Sequence, residues 1–247
     1  MLKYDDKNNK VEISPKVNVH GSIRGKNNII YIGDFLCGAN ITLNIYGDNN
    51  KIFIDSSAYT ILELIVDVGN FSPANNTNLI IGKNFQCGKT RIYLYNPRNS
   101  LYIGENCMLS TNITIRCGEL PHLLFDKRTK EFIDTSTKLK IGNHCWIGEN
   151  VYITKNASIP SESIVAANSV VTKRFTTKHC VFAGNPANQT KKNVVWIKGM
   201  GHLDKNEDYF KNFKKYYKSN SQFQEESFDS IDDFIRKCKT TLRFNIN

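Results

Sequence analysis

The stretch Leu139-Lys-Ile-Gly-Asn-His-Cys-Trp-Ile-Gly148, continued to Thr176, decides the fold. Every sixth residue from Ile141 is a branched aliphatic: Ile147, Ile153, Ile159, Val165 and Val171. Four residues later in the same frame stand Cys145, Val151, Ala157, Ser163 and Ser169, all small or slender. Neither a helical period of ~3.6 nor strand alternation produces a hexad. A coil of short strands joined by tight turns does, because each strand points one aliphatic inward and stacks it on its copies in neighbouring coils. Gly142 and Gly148, one step after the aliphatic, stand where the chain bends and bulk has no room.

Working outward, the rhythm loosens toward the N-terminus without vanishing. Residues 1–19 read as a lead-in strand around Val11 to Val19, and the looser repeat starts at Ser22. Asn27-Asn28, Asn49-Asn50 and Asn75-Asn76 each precede an aliphatic run, and Asn99 precedes Leu101 to Ile103. Asparagine tolerates the left-handed turn conformation, so such pairs mark a corner followed by a strand. The segments Ile30-Tyr-Ile-Gly33, Leu79-Ile-Ile-Gly82, Leu101-Tyr-Ile-Gly104 and Leu139-Lys-Ile-Gly142 superpose, which predicts one rung rebuilt along the whole domain with wider coils in the first half. Between Arg116 and Lys138 the repeat is broken by a polar, charged, aperiodic segment that carries His122 among acids. A loop of that length inside a compact repeat is a candidate for function.

After Lys173-Arg174 the pattern ends, and Ala183-Gly184-Asn185-Pro186-Ala187 forms an exit turn. From His202 the composition changes. Tyr209, Phe210, Phe213 and Tyr217, then Ile231, Phe234, Ile235 and Cys238, fall at helical spacings. The chain therefore divides into a β-helix domain over 1–201, with its loop at 116–138, and a C-terminal α-helical appendage over 202–247.

Composition narrows the class. No apolar run approaches the ~20 residues of a membrane span, and the charged start lacks a signal-peptide core, so a cytoplasmic protein is expected. Seven cysteines, an odd number without paired spacing, agree with a reducing compartment. A net charge of +10 calls for an anionic partner, but the lysines are scattered and no nucleic-acid motif accompanies them. An anionic co-substrate or an acidic glycan accounts for it better.

The isoleucine-glycine hexads, closing in Ala183-Gly184-Asn185-Pro186-Ala187, resemble the hexapeptide-repeat acyltransferases. Within that group the chain is most similar to the branch that O-acetylates bacterial surface glycans, over roughly residues 20–196. The resemblance implies an all-β fold, a left-handed parallel β-helix. That hand comes from the resemblance alone, since parallel crossovers otherwise favour the opposite one. It also implies transfer of acetyl from acetyl-CoA to a hydroxyl of a capsular or lipopolysaccharide sugar, in a homotrimer whose sites lie between subunits. His122 would be the general base, with Glu119, three residues earlier rather than the family's usual two, orienting it. Trp146 would line the acetyl site as an outward wall, and the neighbouring His144 is either functional or a structural corner residue. Gly148, Ala166, Ala167 and Lys173 would line the pantetheine arm. Gly184, Asn185 and Pro186 would lie near the nucleotide, with Lys173, Arg174 or Lys191 on phosphate. Ala166 stands where the family has glycine. No metal site is implied, because a zinc lyase on such a coil needs three histidines in register and only His122 and His144 lie near one another in the pattern. N-acetyl transfer to a nucleotide-linked amino sugar and a non-catalytic glycan-binding β-helix remain as alternatives.

Overall fold

The computed structural model describes residues 1–5, 7–134 and 138–197. The boundary at residue 201 and the expected helices beyond it lie outside the described residues. Met1–Trp196 form one compact unit. All of its named elements are strands, and no described helix is long and apolar enough to cross a membrane.

The chain coils as a parallel β-helix with three faces. Lys10–Ile13, Ile29–Ile32, Lys51–Ile54, Asn78–Ile81, Ser100–Ile103, Lys138–Ile141 and Ser158–Ile159 stack in parallel on the third face. Val17–Arg24, Ala39–Tyr46, Ile61–Val68 and Gln86–Leu94 are long enough to run across the first and second faces without a break. Further on each such strand splits, into Met108–Leu109, Trp146–Ile147 and Ile164–Val165 on the first face and Ile113–Arg116, Tyr152–Ile153 and Val170–Val171 on the second. The repeat is 22 residues at Ile29↔Lys51 and 18 at Lys140↔Ser158. Wide coils followed by coils of three strict hexads are what the spacing predicted. The lead-in is two strands rather than one, because Lys10–Ile13 and Val17–Arg24 belong to different faces, and Leu2–Tyr4 adds a further strand at the edge.

The core is the hexad ladder. Ile141, Ile147, Ile153, Ile159, Val165 and Val171 are all fully buried. The slender positions Cys145, Val151, Ala157, Ser163 and Ser169 fill the spaces between them and are at most 1% exposed. Each such aliphatic gains about 1.5–3 kcal/mol by leaving water. The predicted rung is in register, Ile30↔Ile52↔Leu79↔Leu101↔Leu139, and its Ile52-Phe-Ile-Asp55 copy uses aspartate where the others have glycine. A Cβ on Gly142 would lie 2.4 Å from the Ser161 nitrogen, and one on Gly148 2.6 Å from that of Ala167, so close approach of the next coil explains both glycines.

The asparagine pairs turn out to divide two tasks. Asn27, Asn49 and Asn76 take the left-handed conformation at the corner between second and third faces, with φ of 56–57°. Asn28 and Asn50 are fully buried beside them and tie coil to coil, the Asn28 side chain accepting from the Asn50 N–H (3.0 Å) and Asn50 from the Thr77 N–H (2.8 Å). In the third pair the roles shift by one position, and Thr77 takes the buried place.

Candidate active site

The loop leaves the second face after Arg116 and returns to the third at Lys138. Its outer part is a small hairpin. Phe125 and Phe132 pair antiparallel and meet edge to face at 5.7 Å. Asp126 accepts backbone N–H groups of Arg128 (2.7 Å) and Thr129 (2.9 Å), closing the turn.

The root of the loop is held by a polar network that sequence reading had missed. Asp134, 3% exposed, accepts from the Asn96 side chain (2.7 Å), the Glu119 N–H (2.9 Å) and the Lys155 ammonium (3.1 Å). Burial opposes ionisation of Asp134, but these donors outweigh it and hold its carboxyl below the ordinary value. Lys155 also meets the Glu119 carboxylate at 3.3 Å. The Asn96 side-chain oxygen accepts the Leu120 N–H (3.2 Å), and Arg116 donates to the Leu120 carbonyl (3.1 Å). Segment 116–120 is therefore pinned to the coil just before His122. The warning in the sequence was the presence of acids at both ends of the insertion.

His122 is exposed, and its imidazole has no hydrogen-bond partner among the described residues. Its backbone N–H donates to the Glu119 carbonyl at 3.2 Å, while the Glu119 carboxylate is turned to Lys155. Cys117, the thiol of the loop root, is buried, and burial pushes it up to about 12.

Trp146 stands outward on the first face, 36% exposed, with its indole N–H toward the Ser110 hydroxyl at 3.4 Å. Behind it is a second group invisible to pattern reading. Trp196 is buried, tilts against Trp146 at 6.0 Å, stacks on His144 at 4.2 Å and 7°, and donates its N–H to the His144 carbonyl (2.9 Å). His144 itself sits at a corner with φ 50° and meets Glu162 at 2.7 Å. Its place is that of a structural corner residue.

Gly148, the Ala166-Ala167 pair and Gly184 come at successive coils on the corner between first and second faces, where the Gly148 N–H bonds the Val165 carbonyl and the Ala166 N–H that of Phe182. Ala167, Gly184, Asn185 and Pro186 are exposed there. Lys173 and Arg174 belong to the next corner. Lys173 bonds the Asn188 side chain at 2.6 Å, and Arg174 bonds the Asn156 carbonyl at 3.2 Å. Lys191 is exposed at the end of the antiparallel strand Ala187–Lys191. Within one chain, His122 is carried by the loop and Trp146 by the first-face strand Trp146–Ile147, with the third-face strand Lys138–Ile141 between them in sequence. Among the described residues no group of three or more His, Cys, Asp or Glu is placed to hold a metal ion.

Residues 138–173 match the family model for the bacterial transferase hexapeptide (six repeats). That stretch carries the hexapeptide repeat within the parallel β-helix. It is similar to the polysialic acid O-acetyltransferase of Neisseria meningitidis, 29% identical over 185 residues, covering 73% of this chain and 80% of that protein. It is also similar to the polysialic acid O-acetyltransferase of Escherichia coli O1:K1, 27% identical over 130 residues, and there it spans only 41% of the relative's length. The crystal structure of the polysialic acid O-acetyltransferase OatWY superposes with a TM-score of 0.69 at 29% identity, over 86% of this chain and 99% of that one. NeuO, the polysialic-acid-specific acetyltransferase, gives a TM-score of 0.68 at 21% identity over 87% and 97%, and shares the fold. These likenesses are to acyltransferases.

Proposed function

We propose that the protein is an O-acetyltransferase that moves an acetyl group from acetyl-CoA to a hydroxyl of a bacterial surface glycan. The observation that carries this reading is the anchored loop, which presents an exposed imidazole with no partner among the described residues, from a repeat similar to polysialic acid O-acetyltransferases along most of its length. Acetyl-CoA would supply a thioester carbonyl and a thiol leaving group. The chain supplies the rest. The exposed small residues Ala167 and Gly184 at the corner between first and second faces suit a slender pantetheine arm, and Lys173, Arg174 and Lys191 offer cations to phosphate.

His122 takes the acceptor proton while the hydroxyl oxygen forms the ester bond, then delivers that proton to the departing sulfur. A neutral imidazole does this near physiological pH. Glu119 acts on His122 through the backbone and through Lys155, as an anchor of the loop. Trp146 shapes the acetyl pocket with its outward ring. A direct transfer is supported by the state of Cys117, since a buried thiol raised to about 12 offers no thiolate at neutral pH.

A site that joins a loop and a strand of another face draws on a second subunit, so the working form is a closed trimer. On the third face Tyr31, Phe53, Ile80 and Tyr102 share one register ladder, and Phe53 and Ile80 are already buried within the single chain. The test is release of thiol from acetyl-CoA with a panel of sialylated and neutral polysaccharides and free sugars. Turnover with none of them would overturn the reading. Exclusive transfer to an amino group would favour the nucleotide-sugar alternative.

A further inference from the structure

The second face does not resemble the third. Its outward residues on the wide coils are arginines, tyrosines and amides. Arg24 lies over the Tyr46 ring at 5.5 Å, and Arg91 over Tyr93 at 5.0 Å. Arg116 lies between Tyr93 (5.6 Å) and Tyr95 (5.3 Å). Between Arg24 and Arg91 the face is hollowed into a cleft of ≈ 200 Å³. The acylation chemistry makes no use of it.

We propose that this cleft is the acceptor subsite for a carboxylated glycan chain, lying along the coil axis and leading to the loop of His122. The inference rests on the reading of the protein as a glycan acetyltransferase.

Geometry and charge both point to such a chain. Arg24, Arg91 and Arg116 are spread over the coils of Val17–Arg24 through Ile113–Arg116, which is four rung intervals in the register Ser22↔Asn44↔Asp67↔Tyr93↔Arg116. At about 4.8 Å per rung that is roughly 19 Å, room for several linked sugars rather than one. One acid, Asp67, lies in the cleft. It accepts from Arg91 twice (3.0 and 3.1 Å) and from the Asn44 side chain (2.8 Å). That pairing fixes the guanidinium over Tyr93 and takes two of its five N–H donors, leaving about three for a ligand. A planar guanidinium held in this way suits a sugar carboxylate, and a tyrosine ring suits the apolar face of a pyranose.

The track also has a direction. Arg116 at its end donates to the Leu120 carbonyl, two residues before His122. A glycan seated on the arginines would thus be delivered to the loop rather than past it. Nucleic acid would need a denser positive face than three arginines offset by Asp67.

Binding of sialic acid oligomers to the full-length protein, measured by titration calorimetry without acetyl-CoA, tests the proposal. The wild-type protein should bind them with an affinity that falls as salt is added, and neutral dextran should not compete. Arg24→Gln/Arg91→Gln should weaken that binding by about tenfold or more, as loss of charge-assisted contacts requires. Arg24→Gln alone, which breaks no ion pair among the described residues, should show a smaller loss at an unchanged melting temperature. Unchanged affinity in both variants, equal binding of dextran, or tighter binding of a single-stranded DNA oligomer would overturn the proposal. Acetyl transfer in the same wild-type samples judges the enzymatic reading separately, because the calorimetry needs no turnover.

Discussion

At the scale of residues, His122 carries the sharpest prediction. His122→Ala should lose about 10²–10⁴-fold in turnover, the usual worth of a positioned base, while coenzyme A still binds. Cys117→Ser should leave thiol release from acetyl-CoA nearly unchanged, and a dead variant would instead point to an acyl-cysteine. Asp134 carries a second prediction, through acid sensitivity. Its carboxyl is held below the ordinary value in the folded chain, so it stabilises the loop root when ionised. That contribution is complete above the unfolded value of ~3.9 and fades as pH falls through the lower folded one. Protection of the Glu119 and Leu120 amides against hydrogen exchange should therefore fall below about pH 4 in the wild-type protein and be lower in Asp134→Asn above that pH. His122 and Trp146 could be singled out from the sequence because each breaks a pattern, one by lying in an insertion and the other by placing a large ring in an aliphatic hexad. Asp134, Asn96 and Lys155 could not, since their contacts join residues 15 to 38 positions apart and no local rule relates them.

At the scale of elements, the hexads were legible because stacking imposes one inward side chain per strand, whatever the tertiary surroundings. The wide coils were legible in number but less so in detail. The role shift between Asn75-Asn76 and the two earlier pairs depends on which atom faces the next coil, and residue type does not reveal that. The ladder makes firm demands. Ile153→Ala should cost about 2–5 kcal/mol, since close neighbours above and below cannot collapse into the space. Gly142→Ala should cost about 1–3 kcal/mol by pushing the Ser161 backbone away. Equilibrium urea unfolding of both variants measures these losses, and a neutral Gly142→Ala would show that the corner is looser than its spacing implies. Trp196 covers the corner of His144 by stacking on its ring. Its partner lies 52 residues away, beyond the reach of any periodicity.

For the whole molecule, the placement of His122 on the loop and Trp146 on a first-face strand yields a test by mixing. Neither His122→Ala nor Trp146→Ala homotrimers should turn over well. If each site takes its histidine from one subunit and its tryptophan from the next, trimers reassembled from equal amounts of both variants should regain about a quarter of wild-type sites, as expected for a heterologous ring. No recovery, with mixed trimers verified by mass, would place both residues of a site in one chain. The change from 22-residue to 18-residue coils has a different consequence, for how such a protein can be lengthened. From Lys138 to Val171 the chain is a stack of interchangeable units. Duplicating one unit of 18 residues would shift everything after it by a single rung, about 4.8 Å, without turning any side chain to another face. The distance from the loop to the final turn is thus adjustable in whole steps, and reach along the axis can change by copying while the core stays as it is.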